Sequence, residues 1–281
     1  MSDHPLANCR SFLFTPGNRP ERFAKGAASG ADALILDLED AVSPAAKDLA
    51  RDSVLDYFSR DFRAGLAPKQ LSGLRVNNIH TPAGLRDLTA LAASQARPDF
   101  VVIPKVESEF EAYLYARHLP ATMPLVVAIE SVRGLEAAVD LAGVDRVQAL
   151  AFGGADLAVE LRAELAWEPM YAARARLVQA AAGAGIACVD VPHIVLEQEA
   201  ELAADCARVR AMGFTGKLAI HPKQIAPIHA AFTPSAVEIE RARGMLAAFR
   251  SAGGNAVEYQ GKMVEGPIVK AAERILALVE R

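Results

Sequence analysis

The sequence predicts an α/β protein, a closed (β/α)8 TIM barrel with a C-terminal helical extension. Three observations carry that expectation. Eight short apolar runs bounded by turn residues recur along the 281 residues, and longer stretches with helical periodicity lie between them, the pattern of repeated β-α units. Several runs are apolar at consecutive positions, as in Val101-Val102-Ile103 and Leu125-Val126-Val127-Ala128-Ile129, which implies a parallel sheet buried on both faces. No G-x-G-x-x-G follows the first run, so the alternative of an open doubly wound sheet lacks its usual support.

The expected strands are residues 11–15, 33–38, 73–76, 100–104, 125–129, 148–152, 186–189 and 217–220. Eight is the number that closes a parallel barrel. Helical stretches are expected over residues 83–96, 107–118, 134–141, 170–184 and 197–212, and Gly183-Ala184-Gly185 reads as a helix C-cap rather than a nucleotide loop. Beyond the eighth strand the chain passes Pro227 and Pro234 into a helix over 235–250, a turn at Gly253-Gly254 and a last helix from Gly266. The expected division is a catalytic barrel over residues 1–226 and an extension over 227–281. The extension exceeds what a closing barrel helix needs and is read as packing on a neighbouring subunit.

Composition narrows the function classes. A hydrophobic fraction of 52% with only 6% aromatic residues describes a core of Ala, Val, Leu and Ile, which suits parallel strands and helices. Net charge is −4 without a long basic run, so the electrostatic footprint of a nucleic-acid binder is missing and small-molecule partners are expected. Cys9, Cys188 and Cys206 are odd in number and form no C-x-x-C pair, which indicates buried thiols. The N-terminus shows no secretory pattern and no apolar run reaches about 18 residues, so a soluble, cytoplasmic protein without membrane contact is expected.

Barrels of this kind carry their chemistry at the C-terminal ends of strands. Here those ends are strongly acidic: Asp37, Glu39 and Asp40 after strand two, Glu130 after strand five, Asp156 after strand six. Glu130 and Asp156 follow adjacent strands, so their carboxylates can converge as two hard oxygen ligands of the kind that hold Mg²⁺; the bland reading makes them helix-start acids favoured by the macrodipole. Gly153-Gly154 removes side chains where a ligand would approach. Arg75, at the end of an apolar strand, needs an anionic partner. Either it forks onto a substrate carboxylate or enolate oxygen, or it is a structural ion pair with Asp37 and Glu39. In extended geometry those two acids share a face and orient Arg75 or metal-bound water, while Asp40 points away as a cap. Lys105 reads as the ion-pair partner of nearby Glu107 rather than a Schiff-base lysine, and His193 and His221 read as hydrogen-bonded scaffolding.

These residues sit in stretches that together resemble the HpcH/HpaI aldolase superfamily, in its citrate lyase beta-subunit-like branch. The matching stretches are Arg10-Ser11-Phe12-Leu13-Phe14-Thr15-Pro16-Gly17-Asn18-Arg19-Pro20, Leu36-Asp37-Leu38-Glu39-Asp40-Ala41-Val42, Arg75-Val76-Asn77, Pro104-Lys105-Val106-Glu107, Glu130-Ser131, Phe152-Gly153-Gly154-Ala155-Asp156-Leu157 and Ala219-Ile220-His221-Pro222-Lys223-Gln224-Ile225. The resemblance implies a trimer-based homo-oligomer, trimer or hexamer, Mg²⁺ (or Mn²⁺) on Glu130 and Asp156, and substrate contact by Arg75. It also implies that Asn18, Arg19 and Lys25, with Lys47 and Arg51, lie where the phosphates and pantetheine of coenzyme A come in. The reaction it implies is cleavage or formation of a carbon–carbon bond in a short β-hydroxyacyl-CoA such as malyl-, citramalyl- or citryl-CoA, with a 2-oxo acid as the other product.

Two departures stand out. Where related lyases and thioesterases read Met-Val-Asp-x-Pro, with the aspartate reaching a neighbour's site, this chain has Met263-Val264-Glu265-Gly266-Pro267. An extra methylene misplaces a carboxylate by about 1 Å, on the order of a 100-fold cost if it handles a proton. After strand seven, Asp190-Val191-Pro192-His193 stands in for a more usual Asp-Gly-Pro-Tyr. Two rivals remain at this point: an aldolase on free 2-oxo-acid aldols, and a non-catalytic barrel subunit.

Overall fold

The structure, a computed structural model, describes residues 4–279. Eight strands form one closed parallel barrel in chain order: β1 (Ser11–Pro16), β2 (Ala33–Asp37), β3 (Leu71–Arg75), β4 (Val101–Ile103), β5 (Leu125–Ile129), β6 (Val147–Phe152), β7 (Ala187–Asp190) and β8 (Gly216–Ala219), which pairs back onto β1. The expected closed barrel is present. Strand edges moved by one or two residues.

The helices are α1 (Phe23–Ala27), α2 (Lys47–Ser59), α3 (Pro82–Ala93), α4 (Glu109–His118), α5 (Val132–Glu136), α6 (Ala138–Gly143), α7 (Gly154–Glu160), α8 (Trp167–Ala184), α9 (Glu199–Met212), α10 (Ile225–Phe232), α11 (Ala236–Ser251) and α12 (Gly266–Ala277). Local chemistry sets their ends. Thr81, Ser108 and Ser131 each accept a backbone N–H from the first turn of α3, α4 and α5, and α8 and α9 stop at the left-handed glycines Gly185 and Gly213. The single helix expected over 134–141 is two short ones, α5 and α6, which meet at Ala137.

Alternate strand residues fill the barrel. Phe12, Ile35, Val102, Val126, Ala151 and Val189 belong to one buried cluster, which Leu6 from the short turn Pro5–Asn8 joins. Gly73 belongs to the same interior. A Cβ there would lie 2.4 Å from the ring of Phe100, so glycine on β3 makes room for that ring inside the barrel.

The chain divides into two compact units, one up to His229 and one from Ala230. The second packs α11 on α12 around Ala242, Leu246 and Ala272 and adds a hairpin, β9 (Val257–Tyr259) with β10 (Lys262–Val264), which the sequence reading did not anticipate. No helix among the described residues is long and apolar enough to cross a membrane.

Candidate active site

The mouth of the barrel is organised by a buried ion pair. Asp37 ends β2 and Arg75 ends β3 as its register partner. The arginine donates Nε to Oδ1 at 2.6 Å and Nη2 to Oδ2 at 2.7 Å, a two-pronged fork. Asp37 also accepts the backbone N–H groups of Glu39 and Ala41, so the chain after β2 folds around its carboxylate. The guanidinium lies 4.5 Å over the Phe14 ring on β1. Burial pulls the Arg75 pKa down, but Asp37 and then Glu39 outweigh it and hold the group charged.

Glu39 joins two cations. Its Oε2 lies 2.8 Å from Arg75 Nη1 as an ion pair without hydrogen-bond geometry, and its Oε1 accepts a 2.5 Å bond from Lys105 Nζ. The same ammonium lies 3.3 Å from Asp40 Oδ1 and 3.6 Å from Asp156 Oδ2. Asp40 therefore faces the same cations as Glu39, against expectation. The strand ends at Asp37, so strict alternation no longer applies two and three residues on.

Glu130 follows β5 and is almost fully buried. Its Oε2 accepts the backbone N–H of Lys105 at 3.0 Å, a donor aimed by the left-handed backbone of that lysine (φ 54°). Burial, then the nearby Glu39, pushes Glu130 up to about 8 against the pull of Arg75 and Lys105. Gly153 has a specific role here. A Cβ at that position would lie 2.0 Å from Glu130 Cγ, so the glycine clears a path for the glutamate rather than for an approaching ligand, while Gly154 makes room for the Phe152 ring. Asp156 sits in the first turn of α7, half exposed.

Asp37, Arg75, Glu130 and Asp156 all line one cavity of about 390 Å³ that runs down into the barrel. No group of three or more His, Cys, Asp or Glu among the described residues is arranged to hold a metal alone. A cation between Glu130 and Asp156 would take its remaining ligands from water and substrate oxygens, the habit of Mg²⁺. The donor set fits that ion.

A second pocket of about 360 Å³ shares Phe14 and Ile220 with the first and carries Arg22, Lys25 and His221. Lys25 and Arg19 are exposed, and Asn18 has a buried Oδ1 without a partner. Arg22 escaped the sequence reading, although its spacing of three from Lys25 was a usable signal. Lys47 and Arg51 do not join this group. Lys47 Nζ donates to the carbonyls of Leu38 and Glu39, and the buried Arg51 is bound by Asp48 and by Asp87, whose other oxygen accepts from Asn77. Both are engaged with the scaffold and neither lines this pocket, which departs from their expected place beside a ligand. His221 caps the turn Pro222–Gln224 through Nδ1, and His193 is paired with Asp205. Glu265 is exposed at the N-cap of α12 and makes no side-chain cap bond.

A closed parallel barrel that gathers carboxylates and a clamped arginine at the C-terminal ends of its strands has the layout of a barrel enzyme. The family model described as HpcH/HpaI aldolase/citrate lyase matches residues 10–222, and one described as a carbon–carbon bond lyase of the TIM-barrel fold matches residues 170–280. The chain belongs to the HpcH/HpaI aldolase/citrate lyase family and is a carbon–carbon lyase. It is 34% identical to a citrate lyase subunit beta-like protein of Deinococcus radiodurans, over 97% of this chain and 98% of that one. It is 33% identical to an L-malyl-CoA/beta-methylmalyl-CoA lyase of Cereibacter sphaeroides, over 98% and 96%. A solved structure of CitE from Mycobacterium tuberculosis, in complex with magnesium, acetoacetate and coenzyme A, superposes with a TM-score of 0.84 at 31% identity, covering 98% of this chain and all of that one.

Proposed function

We propose that this lyase cleaves, or in reverse condenses, a short β-hydroxyacyl-CoA of the malyl, citramalyl or citryl type, giving a 2-oxo acid and acetyl-CoA or a homologue. The observation that carries the reading is the meeting of Arg75, Glu130 and Asp156 around one cavity that adjoins a basic pocket. The relatives' names point the same way.

In this reading Glu130 and Asp156 hold Mg²⁺, for which Mn²⁺ can substitute on an all-oxygen site. When bound, the ion supplies Lewis acidity to the hydroxyl and carboxylate oxygens of the substrate. Arg75, whose Nε and Nη2 are fixed by Asp37, offers Nη1, ion-paired but not hydrogen-bonded to Glu39, to the thioester oxygen and stabilises the negative charge that develops there as the carbon–carbon bond breaks. Glu39 sets the position of Arg75 and Lys105 together. Asn18, Arg19 and Lys25, with Arg22, receive the coenzyme A phosphates. Glu265 handles a proton at the enolate carbon of a neighbouring subunit, which makes the working form a homotrimer or hexamer, with residues 227–281 at the interface and 1–226 as the catalytic barrel. The cytoplasm is the compartment where coenzyme A thioesters of this kind would be met.

Arg22 and Lys25 beside the cavity favour a coenzyme A thioester over a free aldol, and the retained ligands and arginine oppose a non-catalytic role. The test is a screen of purified protein with Mg²⁺ against malyl-, citramalyl- and citryl-CoA, following thioester and oxo-acid products separately. Mg²⁺-dependent cleavage of at least one is expected. Turnover of free 2-oxo-acid aldols alone would overturn the thioester assignment.

A further inference from the structure

We infer that Ala128 and Ala151 form an alkyl-accepting notch that sets which 2-oxo acid this enzyme releases, favouring straight-chain acids longer than pyruvate and disfavouring those with a second carboxylate. The inference rests on the lyase reading above and names its substrate class.

Ala128 lies two residues before Glu130 on β5, and Ala151 two residues before Gly153 on β6, so both point into the barrel one level below the carboxylate site. They are register partners on adjacent strands, both buried and both lining the main cavity. Barrel interiors are ordinarily filled by bulky branched side chains, as Ile35, Val102 and Val126 do here. Two adjoining alanines leave a recess under Glu130. Beneath Arg75, the equivalent space at Gly73 is occupied by the Phe100 ring, so no such recess lies there.

The substrate carbon that bears the hydroxyl and carboxylate is held on that side, and its remaining substituent is the group that meets the notch. A hydrogen leaves the notch unfilled. Each methylene placed there gains about 0.8 kcal/mol, roughly fourfold in affinity. A carboxymethyl group instead brings an anion among alanines and valines. Arg75, the cation on the cavity wall, is held by Asp37 and Glu39, and Lys105 at the mouth is taken by Glu39, Asp40 and Asp156.

Calorimetry in the presence of Mg²⁺ with glyoxylate, pyruvate, 2-oxobutyrate and oxaloacetate reads the notch without turnover. Affinity is expected to rise about fourfold per added carbon from glyoxylate to 2-oxobutyrate, with oxaloacetate at least tenfold weaker than 2-oxobutyrate. Ala151→Val should cost 2-oxobutyrate tenfold or more and leave glyoxylate within about twofold. Ala151→Ser adds a hydroxyl with little volume and should flatten the alkyl preference even if the valine variant does not fold. A flat or reversed order in the wild type, equal losses for all four acids in the variants, or no binding of any acid would overturn the inference. Thioester cleavage measured on the same preparations separates the two levels. An intact alkyl order without cleavage sinks the thioester assignment and leaves the notch; cleavage without the order does the reverse.

Discussion

Arg75 has little freedom of its own: its fork is filled by Asp37, its face is covered by Phe14, and Glu39 lies at the remaining edge. Arg75→Lys keeps the charge but loses the fork, so kcat should fall at least about 100-fold while KM stays within about threefold. Steady-state kinetics separates the two, and a change in KM alone would make the residue a uniform binder. Gly153→Ala tests the neighbouring glutamate. The new Cβ would displace the Glu130 side chain, so Mg²⁺ affinity should drop about tenfold or more while circular dichroism and Tm change little. The Asp37–Arg75 pair was legible in the sequence because an arginine ending an apolar strand must find an anion. The reach of Lys105 was not. It depends on a left-handed backbone that no local motif announced and on acids 51 to 66 positions away, whereas the local pattern pointed to Glu107.

At the scale of elements, the strands were visible as apolar runs because both of their faces are buried. Helix α2 was harder to bound for the opposite reason. Its buried positions are Ala50, Arg51, Val54 and Phe58, and the arginine in that stripe interrupts the apolar period. Asp87 on α3 is what permits an arginine there, since it binds Arg51 from one oxygen and the Asn77 amide groups from the other. Asp87→Asn should therefore destabilise the protein by about 2 to 3 kcal/mol, since Arg51 keeps its bond to Asp48 but loses its buried counter-charge. Denaturant titration would register this, with activity per folded molecule unchanged within a few-fold. A large loss of kcat at unchanged stability would instead return Arg51 to the ligand. The β9–β10 hairpin also left a trace, Gln260-Gly261 with positive φ at both residues, but glutamine is not the residue that usually marks such a turn.

For the whole molecule, the prediction concerns what happens after bond cleavage. Glu265 carries one more methylene than the aspartate of the resembling motif, and it stands exposed on α12 with no cap bond to hold it. The wild type should cleave a malyl-type thioester yet release little free coenzyme A, and Glu265→Asp should raise that release. Parallel assays of free thiol and glyoxylate give the ratio. Efficient thiol release from wild type, matched by Glu265→Gln, would leave Glu265 a solvated helix-start acid.

The way Glu130 is held also decides what could be transplanted. Its carboxylate is directed by an absent side chain just after the next strand and by an amide from a left-handed turn after the previous one. Copying two acids and an arginine onto another barrel would reproduce the composition of this mouth without its geometry. The smallest portable unit is three consecutive strand-to-helix corners, and a designer who varies the middle one must treat the backbone at 105 and the bare position at 153 as fixed parts of the scaffold.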